Sequence, residues 1–259
     1  IYCKGPDYNN QANDTTGQIR EEIGALKKIG GKIIYTKSAT FSSSKLINIF
    51  DDYQNEKLKL LIKKIKKEYN NSKIKKLFEN FKKLKILIIG ETIIDQYVFC
   101  DALGKSGKEP VLVLRDLKTE QYLGGAAAVS KHISTFCKKI TLLSMVGENC
   151  EFLKEIKKGL PKNVKFEYIK KKNSPTILKK RFLEHVSNNK ILGVYKINDD
   201  ALIETEERLF IKKLKKLIHA HDLTIVSDYG HGLISEKSSQ IICKKSKYLA
   251  LNAQVNVAN

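Results

Sequence analysis

Two adjacent glycines, Gly124-Gly125, stand directly before Ala126-Ala127-Ala128-Val129, a strong helix start. Glycines at that junction let the backbone approach a ligand closely and aim N–H groups at it. Upstream, Lys85-Ile86-Leu87-Ile88-Ile89-Gly90 is a short apolar run closed by glycine, which reads as a buried strand. Glu91-Thr92-Ile93-Ile94-Asp95 follows and places a carboxylate just past that strand's C-terminal end. In open α/β sheets, ligands bind in the crevice outside those ends. Val111-Leu112-Val113-Leu114 reads as a further strand.

The pattern continues downstream. Residues 140–147 and 164–169 read as strands, and residues 204–218 as an amphipathic helix with Leu209, Phe210, Leu214 and Leu217. Leu223-Thr224-Ile225-Val226-Ser227-Asp228 is a strand with a carboxylate at its C-terminal end, followed by the glycine-rich turn Tyr229-Gly230-His231-Gly232. Residues 235–245 read as a helix, and a new strand begins at Tyr248. Between these, Pro175-Thr176-Ile177-Leu178-Lys179-Lys180-Arg181-Phe182-Leu183 is an extended segment, with residues 191–197 as its hairpin partner. Side chains alternate along a strand, so Lys179 and Arg181 share a face and suit an anion such as a phosphate. A solvated edge strand carrying lysine is the plain alternative.

The order strand, Gly-Glu-Thr-Ile-Ile-Asp, Glu109-Pro110-Val111, then Leu-Gly-Gly-Ala-Ala resembles the ribokinase-like (PfkB) sugar kinases. Within them it is most similar to the kinase half of heptose-phosphate kinase/adenylyltransferase proteins. The resemblance covers residues 85–259. It implies an α/β fold: a Rossmann-type, mostly parallel sheet with a small β lid, formed by residues 97–114 together with the 175–197 hairpin. Such lids often pair, so a homodimer is expected. The implied reaction is transfer of the γ-phosphoryl group of ATP, with Mg²⁺, to a sugar or sugar phosphate. Asp95, Gly124 and Gly125 would contact the sugar, Lys179 and Arg181 an anionic substituent, and Asp228 the binding edge. Ala128 stands near where the family has Asn, and His231 where it has Lys. The family's later Gly-Ala-Gly-Asp motif, which carries the catalytic base and the anion hole, is absent. No catalytic residue is therefore assigned, and the chain is expected to be an interior piece of a longer protein, inactive alone.

Residues 1–50 resemble the C-terminal part of cytidylyltransferase-like nucleotidyltransferases. The likeness rests on Lys4-Gly5-Pro6-Asp7-Tyr8, a helix with Ile19, Ile23 and Leu26, the strand Lys32-Ile33-Ile34-Tyr35-Thr36, and Ser42-Ser43-Ser44-Lys45. The last motif would contact a nucleotide; an ordinary helix N-cap explains the same hydroxyls. The family's H-x-G-H signature is absent. Residues 51–84 read as a helical linker, with Leu58, Leu61, Ile62 and Ile65 and then Ile74, Leu77, Phe78 and Phe81 at helical spacing.

Charge and cysteine usage bound the alternatives. The 259 residues carry 48 Lys+Arg against 28 Asp+Glu, a net charge of +20. The lysines are spread along the chain with no aromatic–basic RNA-binding signature, so solvated faces explain them better than nucleic-acid binding. Such a surface would still attract phosphorylated substrates. No apolar run approaches the roughly 20 residues of a bilayer span, and five scattered cysteines suggest neither a zinc site nor a disulfide framework. A cytoplasmic enzyme with no metal ligands of its own, no membrane partner and no nucleic-acid partner is expected. The alternatives are a nucleotidyltransferase with a kinase-like sugar-binding or dimerising module, and third a basic nucleic-acid-binding scaffold.

Overall fold

The computed structural model describes residues 1–5, 19–36 and 56–254. Ser42, Ser43, Ser44 and Lys45 lie outside the described residues, as does most of the Lys4–Tyr8 motif. The chain divides into two compact units, Ile1–Asn70 and Asn71–Asn259, a division that falls inside the segment read as a linker.

In the first unit, β1 (Tyr2–Lys4) pairs in parallel with β2 (Ile33–Tyr35), with α1 (Ile19–Lys28) between them in sequence. Strand β1 was not expected, because three residues carry no readable period. Lys4 Nζ lies 2.7 Å from Glu22 Oε2, joining β1 to α1. Helix α2 (Glu56–Glu68) ends this unit.

The second unit opens with α3 (Asn71–Phe81) and holds two sheets. The first comprises β3 (Lys85–Gly90), β6 (Lys139–Gly147), β7 (Val164–Lys171), β10 (Leu223–Asp228) and β11 (Leu249–Ala253). All its pairings are parallel, in the order β11-β10-β3-β6-β7. Helices cover both faces, which is why these strands are near-continuous apolar runs. Ile86, Ile88 and Leu142 pack on one face with Ala126 and Ala127 of α4 (Gly125–Ile133) and Ile156 of α5 (Leu153–Gly159). Leu87, Ile89 and Leu143 pack on the other with Phe210, Leu214 and Ile218 of α6 (Glu204–Ile218) and Ile242 of α7 (Glu236–Lys245).

The second sheet is mixed, in the order β5-β4-β8-β9, from β4 (Thr92–Lys105), β5 (Leu112–Gly124), β8 (Leu178–Glu184) and β9 (Lys190–Lys196). β4 pairs antiparallel with β5 and parallel with β8, and β8 pairs antiparallel with β9. Register shifts interrupt the β4–β5 ladder at Phe99/Cys100 and Ala102/Gly104. One sequence expectation changes here. The strand expected at residues 111–114 runs on to Gly124, so Gly124 ends the strand and Gly125 begins the helix without an intervening turn. Asp95, just past the end of β3, is the fourth residue of β4, and the ladder to β5 and β8 fixes it on the second sheet. Among the described residues, no helix is long and apolar enough to cross a membrane.

Candidate functional site

In the parallel sheet, β3 has β6 on one side and β10 on the other. The chain winds one way from β3 to β6 and the other way to β10. In such sheets a reversal of this kind marks the crevice where ligands bind, here at the C-terminal ends of β3 and β10. Glu91 and the start of β4 leave β3 there, and Asp228 ends β10.

Asp95 and Arg181 meet at the base of the second sheet. The register opposes Asp95 to Lys179 and Tyr97 to Arg181, and Arg181 Nη1 donates to Asp95 Oδ1 in an ion pair. The guanidinium also lies 5.5 Å from the Tyr97 ring centre and 5.7 Å from that of Tyr195, a favourable cation–π arrangement. Burial works against the Arg181 cation, but Asp95 and its neighbours outweigh it and hold the guanidinium above its usual range. Lys179 Nζ sits 5.9 Å from the other contact partner, the Tyr195 ring. The sequence placed Lys179 and Arg181 on one face and separately singled out Asp95. It did not show that the cation and the carboxylate engage each other.

Gly124 and Gly125 are required by close approach. A Cβ on Gly124 would stand 2.1 Å from Asp95 Oδ2, and one on Gly125 would stand 2.3 Å from the Glu91 carbonyl oxygen. Gly125 also has φ +58°, a conformation that costs an L side chain energy. The first part of this packing is the Asp95 carboxylate lying directly over the Gly124 backbone. The next N–H, that of Ala126, donates to the Glu91 carbonyl at 2.8 Å.

Asp228 stands at the end of β10, and its Oδ1 accepts the N–H of Gly230 at 2.9 Å, shaping the turn that follows. In that turn His231 is buried, with Nδ1 2.7 Å from Asp199 Oδ1. Its Nε2 is buried with no partner among the described residues. Lys171, also buried, donates to the carbonyl oxygens of Asn198 at 2.7 Å and His231 at 3.1 Å. Burial holds the Lys171 amine below its usual range.

Sequence reasoning passed over Glu91, which is fully buried. Its Oε2 accepts the N–H of Tyr229 at 2.9 Å and its Oε1 that of His231 at 3.3 Å. Burial pushes its carboxyl group up from the usual carboxylate range. The signal available was a charged residue directly after a run of buried apolar ones, where a carboxylate needs hydrogen-bond donors to remain.

The acidic side chains of this region do not form a metal site. Asp95 is engaged by Arg181 and Asp228 by the Gly230 N–H. Among the described residues, no group of three or more His, Cys, Asp and Glu side chains could hold a metal ion.

No family model matches the chain. Over 178 residues it is 34% identical to the bifunctional protein HldE of Campylobacter jejuni subsp. doylei, covering 68% of this chain and 36% of that protein. Over 163 residues it is 24% identical to the D-beta-D-heptose 7-phosphate kinase of Bordetella bronchiseptica, covering 63% of this chain and 51% of that one. The chain thus spans between about a third and about half of these curated relatives. The crystal structure of phosphofructokinase-2 from Escherichia coli in complex with fructose-6-phosphate superposes with a TM-score of 0.52. That match covers 67% of this chain and 56% of the other at 17% identity, and so bears on the fold alone. Over about two thirds of its length, the chain belongs with its HldE and heptose 7-phosphate kinase relatives, on the fold of the ribokinase-like sugar kinases.

Proposed function

We propose that residues 85–254 are the sugar-binding part of a kinase that phosphorylates a sugar phosphate of the heptose-phosphate type. The observation that carries this reading is the meeting of Asp95, Gly124 and Arg181 beside the crevice at the ends of β3 and β10. A carboxylate accepts hydrogen bonds from sugar hydroxyls, a bare glycine backbone lets the ring approach, and a guanidinium matches a phosphate. Lys179 adds a second cation on the same face. Asp228 lines the crevice from the β10 side. The Bordetella bronchiseptica relative carries a name that fits this substrate class.

ATP with Mg²⁺ is the phosphoryl donor in this reading, and its γ-phosphoryl group would pass to a sugar hydroxyl. The residues of this chain would bind and orient the acceptor, and that alone lowers the barrier by removing its freedom of motion. The general base and anion hole would come from residues beyond these 259. Ser42, Ser43, Ser44 and Lys45 are proposed to contact a nucleotide in a preceding nucleotidyltransferase part, with residues 51–84 as linker. The exposed apolar side chains Leu112, Leu117, Leu192 and Val194 on the second sheet support pairing of two copies through that sheet.

The test is turnover of ATP with heptose phosphates by the protein in which these residues sit within the whole kinase, compared with its Asp95→Ala variant. Phosphorylation by the wild type, lost or weakened by the substitution, is expected. Equal rates for both would remove Asp95 from the site.

A further inference from the structure

Glu91 holds together the two sides of the crevice. It leaves β3 at the switch point, and Gly90 beside it is the register partner of Ser227 on β10. The two backbones are so close there that a Cβ on Gly90 would stand 2.0 Å from the Ser227 carbonyl oxygen. From this position one buried side chain accepts two N–H groups of the turn after β10, those of Tyr229 and His231. The same residue's carbonyl accepts the N–H of Ala126, in the first turn of α4. Glu91 is thus joined both to the turn that carries Asp228 and to the helix start that follows Gly124.

A buried carboxylate is costly unless it is well hydrogen-bonded. An apolar side chain would fill the place at less cost if packing alone were needed. The preceding residues on β3 are Ile88, Ile89 and Gly90, while the buried Lys171 and His231 lie within electrostatic reach of the carboxylate. What the carboxylate does provide is two acceptors on one rigid fork, matched to two backbone donors that are two residues apart in a glycine-rich turn.

We propose that Glu91 is a positioning residue that sets the width of the sugar crevice, by tying the Tyr229–His231 turn to the start of α4. The inference rests on the sugar-kinase reading. It assigns Glu91 no contact with substrate; its effect passes through Asp228 on one side and the Gly124–Asp95 pair on the other.

The test uses Glu91→Gln in the protein containing the whole kinase. Glutamine keeps the shape but has a single acceptor oxygen, and its NH₂ must face one of the two N–H groups. The variant buries no charge, so it is expected to fold. Loss of one such bond is expected to raise the KM for the sugar phosphate about tenfold while leaving the KM for ATP unchanged. Backbone amide exchange at Tyr229 and His231 should quicken, with Thr224 and Val226 inside β10 unaffected. Glu91→Asp, which keeps the charge and shortens the reach, provides a second variant with the same expected direction. An unchanged sugar KM in a folded variant, or unchanged exchange at both amides, would overturn the proposal. A wild-type protein with no sugar-kinase turnover would overturn the underlying reading and this role with it, and that result is seen before any substitution is made.

Discussion

Asp95 and Arg181, 86 residues apart in sequence, are ion-paired across adjacent parallel strands. The carboxylate read as a hydroxyl acceptor and the cation read as an anion holder are one unit. Arg181 orients Asp95 and lowers its freedom to turn away, while the Tyr97 and Tyr195 rings flank the guanidinium. In the proposed enzyme, Asp95→Ala removes sugar contacts and is expected to cost about 1–3 kcal/mol of sugar binding. ATP binding should not change. Calorimetric titration with each ligand checks both statements.

Arg181→Ala separates the two roles differently. If the guanidinium receives a phosphate, its removal weakens a phosphorylated sugar more than the same sugar without its phosphate, because a charge-assisted bond is lost only in the first case. Comparing the two affinities in wild type and variant is the measurement. An equal loss for both ligands would leave Arg181 with only its support of Asp95.

The two glycines should respond differently to alanine. At Gly124 the backbone has φ −109°, which any residue adopts, and the new Cβ meets the tip of the Asp95 side chain. Asp95 must then turn away and give up its pairing with Arg181, so Gly124→Ala is expected to weaken sugar binding, with a smaller loss of thermal stability than at Gly125. At Gly125 the Cβ meets backbone at positive φ. The left-handed conformation alone costs about 1–2 kcal/mol, so Gly125→Ala should lower the melting temperature clearly. Thermal denaturation of both variants distinguishes the cases.

Lys171 gives a prediction for alkaline pH. Its folded pKa lies below the ordinary lysine value of 10.5 because burial disfavours the cation. Between the folded and unfolded values the unfolded chain binds more protons, so stability rises with pH across that window. Wild type should therefore gain on Lys171→Met as pH climbs toward 10.5, and the difference should level off beyond it. Denaturant unfolding of both proteins across this range is the check; a flat difference would mean Lys171 is not held below its usual value.

Much of the parallel sheet could be read from the chain because strands buried on both faces are written as apolar runs, as in Ile86-Leu87-Ile88-Ile89 and Leu142-Leu143. The second sheet was legible only in pieces. Residues 115–121 of β5 are mostly charged or polar and exposed, so nothing in them announced that one strand joins the 111–114 run to Gly124. The glycine pair was recognised as a place of close approach, but its neighbour was not. What comes close is the carboxylate of Asp95 and the carbonyl of Glu91, and only the folded register brings these together. Glu91 itself was overlooked because its partners are backbone N–H groups, which every sequence carries and none displays.

The chain crosses between the two sheets four times, and each crossing is tied. Glu91 holds the first, the Gly124–Asp95 contact the second, and Lys171 with the His231–Asp199 pair the fourth. At the third, Thr176 Oγ1 accepts the Gly147 N–H at 2.9 Å. Beyond these ties, β4 continues through its two register shifts into exposed chain. The second sheet is therefore built like a cantilever, clamped at its root and free at its tip. Closure over a bound molecule would come from bending along β4, greatest where the ladder is interrupted, and Asp95 at the clamped root would keep its place while the tip moves.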